Sequence, residues 1–220
     1  MLDFGGNIGN ILRDATSTIE HERYWCLDVG QDSIKQGKTA FPDAHWIFYN
    51  RYCFFFNPGG VPQLPLPDLH QTFDYIVAYS VFANTPPSDM LDLVPQLEGL
   101  LAEQGTLAFT FIDPYYFSWP DTYHGNNFKW RVDLEIERGN VSATDGENLL
   151  ARAEDADWFM LVNANDLYIE TEVLPVYEPS EQQTCHVFHT EKYMKKLFPN
   201  ASILPAANNE MQHCCVIKRS

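Results

Sequence analysis

The sequence predicts an α/β fold with a doubly wound, mainly parallel sheet and helices on both faces. The first reason is a short apolar segment that runs into a glycine-rich turn between Leu2 and Asn10. The second is an apolar run, Tyr24 to Val29, whose acid Asp28 follows the turn by roughly 20 residues. Later apolar runs alternate with stretches of helical periodicity. This order is typical of nucleotide-binding sheets, because the turn lets backbone approach a ligand and the acid can accept hydrogen bonds from ribose hydroxyls.

The first half of the chain predicts four strands and three helices. Apolar runs predict the strands, caps and a stopping proline delimit the second helix, and apolar residues at helical spacing predict the third. A proline-rich stretch between them is unsuited to regular structure. In chain order these are a strand at Leu2 and Asp3, a helix from Gly9 toward Ile19, a strand at Tyr24–Val29, a helix capped by Asp32 or Ser33 and stopped by Pro42, a strand at His45–Tyr49, a loop over 54–67, a strand at Phe73–Tyr79 and a helix from Met90 to Leu101.

The second half predicts a fifth strand after a turn, a long aromatic-rich segment, a capped helix and a closing strand. The long segment, 115–180, holds two further apolar pieces that suit strands or helices. We expect a single domain over residues 1–220. The elements are a turn at Gln104–Gly105, a strand at Thr106–Ile112, apolar pieces at Trp158–Val162 and Leu167–Ile169, a helix capped by Thr190 and a strand at His213–Lys218.

Composition narrows the classes of partner. The formal net charge is −16, so nucleic acid and anionic lipid would meet repulsion, and we expect neither as a partner. No apolar run approaches the roughly 20 residues of a membrane span, and no signal peptide is visible. The five cysteines form neither a metal-ligand spacing nor an even disulfide set. We therefore expect a cytoplasmic protein with reduced cysteines, and the sequence leaves its oligomeric state open.

The segment from Asp3 to Gly9 resembles the Asp-x-Gly-x-Gly-x-Gly motif of class I S-adenosylmethionine-dependent methyltransferases. Asn7 replaces the central glycine, and asparagine tolerates the left-handed backbone region better than most residues. The resemblance spans most of the chain and implies a seven-stranded sheet with an antiparallel terminal strand and S-adenosylmethionine as the cofactor. It implies cofactor contacts from Asp3, Gly5, Gly6, Asn7 and Gly9 at the methionine end, from Asp28 and Val29 at the ribose, from Asn50 and Arg51 after the third strand, and from Tyr79, Ser80 and Val81 after the fourth.

Two departures from the family bear on activity. Asn50 stands where the family often has an acid facing the adenine amino group, although its carbonyl oxygen can still accept that hydrogen bond. Family members normally have a helical segment ahead of the first strand, whereas only Met1 and Leu2 precede Asp3. The sequence leaves open whether the chain is truncated or the pocket is more open than usual.

Aromatic residues just after the fifth strand suggest where a substrate would bind. The family varies most over the segment 115–180 and usually takes its substrate contacts there, so the resemblance implies an elaboration of the domain on the substrate side over these residues. Aromatic walls favour a small, partly apolar or planar acceptor. His124 is the candidate general base, which an oxygen acceptor would need more than a neutral amine would. His186 and His189 lack further ligands at a convincing spacing, so no metal site is expected. The candidate substrate-binding residues are Tyr115, Tyr116, Trp119 and Tyr123.

The function predicted from these residues is methyl transfer from S-adenosylmethionine to oxygen or nitrogen of a small molecule. A catalytically silent domain that keeps the fold for binding or interaction is the alternative, and Asn7, Asn50 and the missing segment ahead of the first strand favour it. A dehydrogenase of another nucleotide-binding family fits less well, because the segment at Ser80 and the closing strand fit methyltransferases better.

Overall fold

The structure is a computed structural model, and it describes residues 1–15, 18–53, 56–116, 118–119, 123–124, 127–162, 166–169, 185–207 and 211–219. Two compact units make up the chain. The first comprises Met1–Phe109 and Val216–Ser220, and the second comprises Thr110–Cys215. The expected single domain over residues 1–220 stays a prediction.

The elements alternate between strand and helix in the first unit and are mixed in the second. A single 3-10 turn, His21–Arg23, precedes the second strand. The strands are β1 (Leu2–Phe4), β2 (Trp25–Asp28), β3 (His45–Phe48), β4 (Phe73–Ala78), β5 (Leu101–Phe111), β6 (Ser118–Trp119), β7 (Tyr123–His124), β8 (Trp158–Val162), β9 (Asp166–Ile169), β10 (Cys185–His189), β11 (Ser202–Leu204) and β12 (His213–Lys218). The helices are α1 (Asn10–Asp14), α2 (Gln31–Ala40), α3 (Pro87–Gly99), α4 (Asn127–Glu137), α5 (Ala143–Ala153) and α6 (Glu191–Leu197).

The main sheet has seven strands in the order β11-β12-β5-β4-β1-β2-β3, mostly parallel with one antiparallel strand. Strand β1 pairs in parallel with β2 on one side and with β4 on the other. The chain therefore winds outward from β1 through β2 to β3, and then in the opposite direction through β4 to β5. Because parallel crossovers are right-handed, this reversal puts helices on opposite faces and leaves a crevice at the carboxyl ends of β1 and β4.

The second unit contains a separate antiparallel sheet in the order β10-β8-β9. Its core is aromatic: Phe128, Phe159 and Phe188 are all buried, with ring centroids 4.6 to 5.3 Å apart. Strands β6 and β7 form a two-residue antiparallel pair. No helix among the described residues is long and apolar enough to cross a membrane.

The predicted α/β class and mainly parallel seven-stranded sheet are confirmed, and the closing strand has the predicted bounds His213–Lys218. Thr190 caps α6 as predicted, because its hydroxyl accepts the backbone N–H of Tyr193 at 3.1 Å. The apolar pieces at Trp158–Val162 and Leu167–Ile169 lie in strands β8 and β9.

Several boundaries differ from the predictions. Helix α1 ends at Asp14 rather than continuing toward Ile19. Helix α2 begins after Gly30, and neither Asp32 nor Ser33 caps it. The predicted turn at Gln104–Gly105 lies inside β5, where the register with β4 shifts and Gln104 has a φ of 64°. Pairing with β4 carries the strand through this irregularity, so β5 starts five residues before the predicted position, Thr106.

Candidate functional site

A cavity of about 370 Å³ lies where β1, β2 and β4 end. Its position is the crevice at the topological switch point, where open α/β sheets bind ligands. Most of its wall comes from the glycine turn, the residues after β2 and β4, and the first turns of α3. The lining residues are Asp3, Phe4, Gly5, Gly6, Asn7, Asn10, Ile11, Asp28, Val29, Ser33, Tyr49, Arg51, Tyr52, Cys53, Phe56, Tyr79, Ser80, Val81, Asn84, Thr85, Asp89 and Leu93.

The glycine turn uses left-handed backbone at three positions. Gly5, Asn7 and Gly9 have φ values of 74°, 53° and 84°. Asn7 therefore adopts the conformation that the missing glycine would adopt, as its tolerance of this region predicts. A Cβ on Gly5 would lie 2.4 Å from Cγ2 of Val81, so this position also requires the absence of a side chain. The turn thus brings bare backbone to the cavity wall.

Asp28 is held against the turn by two backbone donors. The N–H of Asn7 donates to Oδ2 at 2.7 Å, and the N–H of Gly30 donates to Oδ1 at 2.6 Å. Burial raises the pKa of the Asp28 carboxyl, and the hydrogen bonds from Gly30 and Asn7 oppose this rise. The contact confirms that the turn and Asp28 meet at one edge of the sheet.

A second acid, Asp3, lies beneath the turn and is almost completely buried. The hydroxyl of Tyr24 donates to its Oδ2. Burial raises the pKa of Asp3 to about 6, the Tyr24 hydrogen bond lowers it and the nearby Asp28 raises it. The thiol of Cys26 donates to the carbonyl of Asn7 at 3.8 Å. The cavity floor therefore carries two carboxylates, and neither has a basic side chain among its described hydrogen-bond partners.

Arg51 lies on the cavity wall, but its charge is balanced within the protein. One guanidinium nitrogen donates to Asp92 at 2.6 Å and another donates to Asp89 at 2.6 Å. The carbonyl of Leu64 accepts a further bond at 2.9 Å. Only 3% of Arg51 is exposed, so this ion pair fixes the chain after β3 against α3.

Asn50 is a predicted cofactor residue that lies outside this arrangement. It is exposed, is not part of the cavity wall, and its side-chain oxygen accepts a hydrogen bond from Asn57 at 3.1 Å. Gly9 also lies outside the wall, as the residue preceding α1. The remaining predicted cofactor residues line the cavity together.

The segment after β4 forms a tight turn that contributes backbone to the wall. Ser80 has a φ of 59°, and the side-chain amide of Asn84 donates to its carbonyl at 2.9 Å. Sequence reasoning missed Asn84, Thr85 and Asp89, which share the wall. The Thr85–Pro86–Pro87 sequence could have indicated an extended approach to a helix start.

Tyr115 and Tyr116 lie in a different cavity, within the second unit, of about 650 Å³. Their backbone N–H groups both donate to Oδ1 of Asp113, at 2.7 and 3.1 Å. For Trp119, Tyr123 and His124 the backbone lies in β6 and β7, but the side chains are outside the described residues. The predicted substrate wall and the role of His124 therefore stay predictions.

His186 and His189 do not form a metal site with other described residues. Both lie in β10, where burial lowers the pKa of His186 to about 4 and that of His189 to about 3. Among the residues with described side chains, no three histidine, cysteine or acidic groups converge as metal ligands.

Comparisons with known proteins relate this geometry to a known fold. A family model described as a methyltransferase domain matches residues 2–107. No curated protein matches the sequence. Three solved structures share the fold, each at low sequence identity. The first is an S-adenosylmethionine-dependent methyltransferase from Clostridium acetobutylicum, with 10% identity and a TM-score of 0.54 over 99% of this chain and 82% of that one. The second is an S-adenosylmethionine-bound amino pentose methyltransferase from Micromonospora echinaspora, with 13% identity and a TM-score of 0.54 over 100% of this chain and 82% of that one. The third is a protein from Pyrococcus horikoshii, with 12% identity and a TM-score of 0.52 over 100% of this chain and 81% of that one.

The fold is that of the class I, Rossmann-like methyltransferases, and residues 2–107 match the model of a methyltransferase domain. The cofactor that the family resemblance implies is S-adenosylmethionine. The cavity fits it in size, because ligand pockets commonly measure about 300–1,000 Å³. It also fits in chemistry, because the buried carboxylates Asp3 and Asp28 suit a ligand that carries positive charge.

Proposed function

We propose that this protein binds S-adenosylmethionine in the cavity at the ends of β1, β2 and β4 and transfers its methyl group to oxygen or nitrogen of a small molecule. The observation that carries the proposal is the charge of the cavity wall. Three carboxylates, Asp3, Asp28 and Asp89, line it, and the one lining cation among the described residues is Arg51, which Asp89 and Asp92 already neutralise.

The negative charge of the wall favours one of two classes of adenosine-containing ligand. S-adenosylmethionine carries a sulfonium and an ammonium group, whereas a dinucleotide such as NAD carries an anionic pyrophosphate. The pyrophosphate would lie near the Asp3 carboxylate with the backbone N–H groups of the turn as its donors, because the described wall offers it no free basic side chain. Burial raises the pKa of both carboxyls, and a bound cation would stabilise their charged forms. The wall therefore favours the sulfonium cofactor over NAD.

Each part of the wall has a distinct role in this proposal. Asp28 would accept the ribose hydroxyls, and the bare turn at Gly5 and Gly6 would let the methionine end lie against backbone. Bound S-adenosylmethionine would supply an electrophilic methyl group, so the chain itself mainly has to position the acceptor and exclude water. Positioning of this kind can supply roughly 7–11 kcal/mol of the barrier. The ion pair of Arg51 with Asp89 and Asp92 would hold one side of the cavity rigid.

Isothermal titration with S-adenosylmethionine, S-adenosylhomocysteine and NAD tests the proposal. We expect heat from the first two and none from NAD. Transfer of a radiolabelled methyl group to a panel of amines and hydroxyl compounds would then identify the acceptor. Binding of NAD with silence toward both sulfur compounds would refute the proposal.

A catalytically silent binding module is the second candidate, and the position of Asn50 favours it. Asn50 lies outside the wall and its amide oxygen is bonded to Asn57, so the adenine contact that the family resemblance implies has no described group in place. A folded protein that binds neither sulfur compound would support this candidate.

A further inference from the structure

The second unit has its own cavity, formed only by residues within Thr110–Cys215. Its volume of about 650 Å³ lies in the range of ligand pockets. The wall combines acids, two tyrosines and a buried histidine. The lining residues are Asp113, Tyr115, Tyr116, Glu154, Asp155, Ala156, Asp157, Thr190, Glu191, Lys192, Pro205 and His213.

Among the described residues, this wall is strongly negative, with five carboxylates and one lysine. Asp113 and Glu191 have structural partners. Asp113 accepts the backbone N–H groups of Tyr115, Tyr116 and Glu191, and Glu191 pairs with Lys195.

Glu154 and Asp155 differ from these two acids. They are exposed, and neither has an ion-pair partner among the described residues. Their charge is therefore available to a ligand. Among the residues with described side chains, no three histidine, cysteine or acidic groups converge as metal ligands in this cavity.

His213 gives a second, independent indication of a ligand. It is 3% exposed, and neither of its ring nitrogens has a hydrogen-bond partner among the described residues. Burying a polar group without a hydrogen bond costs free energy, so the two unpaired ring nitrogens of His213 indicate a missing partner. Acidic residues exposed to solvent at the rim of the cavity do not explain them. Burial lowers the pKa of His213, against the opposing effect of Asp113 and Glu191. The neutral ring keeps a lone pair that can accept a hydrogen bond from a ligand.

Two aromatic rings complete the wall. Tyr116 packs edge-on against His213, with ring centroids 5.1 Å apart. Tyr115 donates its hydroxyl to the carbonyl of Glu154 at 2.7 Å, which places the phenol beside the acidic rim. Tyrosine faces attract organic cations, and 47% of Tyr115 and 43% of Tyr116 are exposed.

We infer that this cavity binds an organic ammonium ion with an apolar or aromatic body. The ammonium group donates to the lone pair of His213, Glu154 and Asp155 supply the opposite charge, and the tyrosines contact the body of the ligand. The inference concerns binding in the second unit alone. It needs no cofactor, so it succeeds or fails separately from the proposed methyl transfer.

The test compares 2-phenylethylamine with 2-phenylethanol, which has a similar shape but no charge. Calorimetric or NMR titration of the full chain should show the amine binding at least about tenfold more tightly, with an affinity that falls as salt rises. The imidazole ¹⁵N resonances of His213 should shift with the amine.

Variants assign the effect to the cavity. The pair Glu154→Gln with Asp155→Asn should weaken amine binding by at least about tenfold and reduce its salt dependence. His213→Phe should also weaken it, with circular dichroism confirming the fold. The charge-matched control is Glu137→Gln with Glu147→Gln, two exposed acids on α4 and α5 outside this cavity, and it should leave the affinity unchanged.

Three outcomes would overturn the inference. One is equal affinity for the amine and the alcohol. Another is an equal loss of affinity in the control pair and the cavity pair. The third is the absence of any amine binding at millimolar concentration, even if S-adenosylmethionine binds normally.

Discussion

Replacing Asp28 tests the cofactor site most directly, because the number of hydrogen bonds it can still accept is visible in the structure. An ionised carboxylate has about four lone-pair sites. The N–H groups of Asn7 and Gly30 occupy one on each oxygen, at 2.7 and 2.6 Å. One acceptor site therefore remains on each oxygen, which matches the two ribose hydroxyls of S-adenosylmethionine.

The magnitude follows from these two remaining sites. A hydrogen bond to a charged group contributes about 1.5–3 kcal/mol, and each 1.4 kcal/mol is tenfold in affinity. Asp28→Ala should therefore weaken binding of S-adenosylmethionine by about 10- to 1,000-fold in isothermal titration. Asp28→Asn should be nearly as weak, because its amide would direct N–H groups at a backbone donor. Asp28→Asn also leaves one of the two backbone N–H groups without its acceptor and Asp28→Ala leaves both, so we expect each variant to lose about 1–2 kcal/mol in stability or more.

The matched control is Asp32→Asn, on the next helix. Asp32 is largely exposed and forms an ion pair with Lys35 at 2.9 Å, so its removal should change neither the affinity nor the fold. Circular dichroism and thermal unfolding would show whether the variants remain folded. An Asp28→Ala protein that stays folded and binds S-adenosylmethionine as tightly as the parent would refute the assignment of the ribose site.

Other changes probe the turn, the buried acid and one helix cap. Gly5→Ala should lower the free energy of unfolding by about 2–4 kcal/mol, because Gly5 has a positive φ and the added methyl group would overlap Val81. In a double-mutant cycle measured by urea unfolding, Val81→Ala should recover only the part that is due to the overlap. Simple additivity of the two substitutions would contradict this. Asn7→Gly should leave stability unchanged or slightly higher in the same assay, whereas a large loss would mean that the side chain matters. Asp3 has a pKa of about 6 in the folded state against the usual 3.8, so the folded state binds a proton more tightly than the unfolded state does. The free energy of unfolding should therefore be highest below about pH 4 and should fall by about 3 kcal/mol as the pH rises to about 6. Asp3→Asn should abolish this fall when unfolding is measured at several pH values. Thr190→Ala should cost about 1 kcal/mol in thermal unfolding, and no change would contradict its role as a cap.

The parts of the site that could be predicted from sequence are those fixed by local backbone rules. The turn from Gly5 and the acid Asp28 are brought together because two adjacent parallel strands end at the same edge of a sheet. The left-handed conformation of Asn7 follows from its residue type. The start of α5 also had a local signal that was missed, since Ser142 caps it by accepting the N–H of Asp145 at 3.1 Å.

The parts that could not be predicted depend on contacts between distant residues. Arg51 meets Asp89 and Asp92 across 38 and 41 positions, and no periodicity indicates that pairing. The irregularity at Gln104 was predicted as a turn from its residue types, whereas pairing with β4 keeps it within a strand. The exposure of Asn50 likewise depends on its bond to Asn57 in the following loop.

Each of the two cavities is lined by more acidic than basic side chains among the described residues. From composition alone, the net charge of −16 only disfavoured anionic partners. Among the described residues, eight carboxylates line the two cavities, against two basic side chains, Arg51 and Lys192. Arg51 is neutralised by its own ion pairs, and Lys192 shares its cavity wall with five acids. Ligands with positive charge are therefore favoured at both sites: a sulfonium in the first unit and an ammonium in the second. Both affinities should fall as ionic strength rises, and the affinity for an uncharged analogue such as 2-phenylethanol should not.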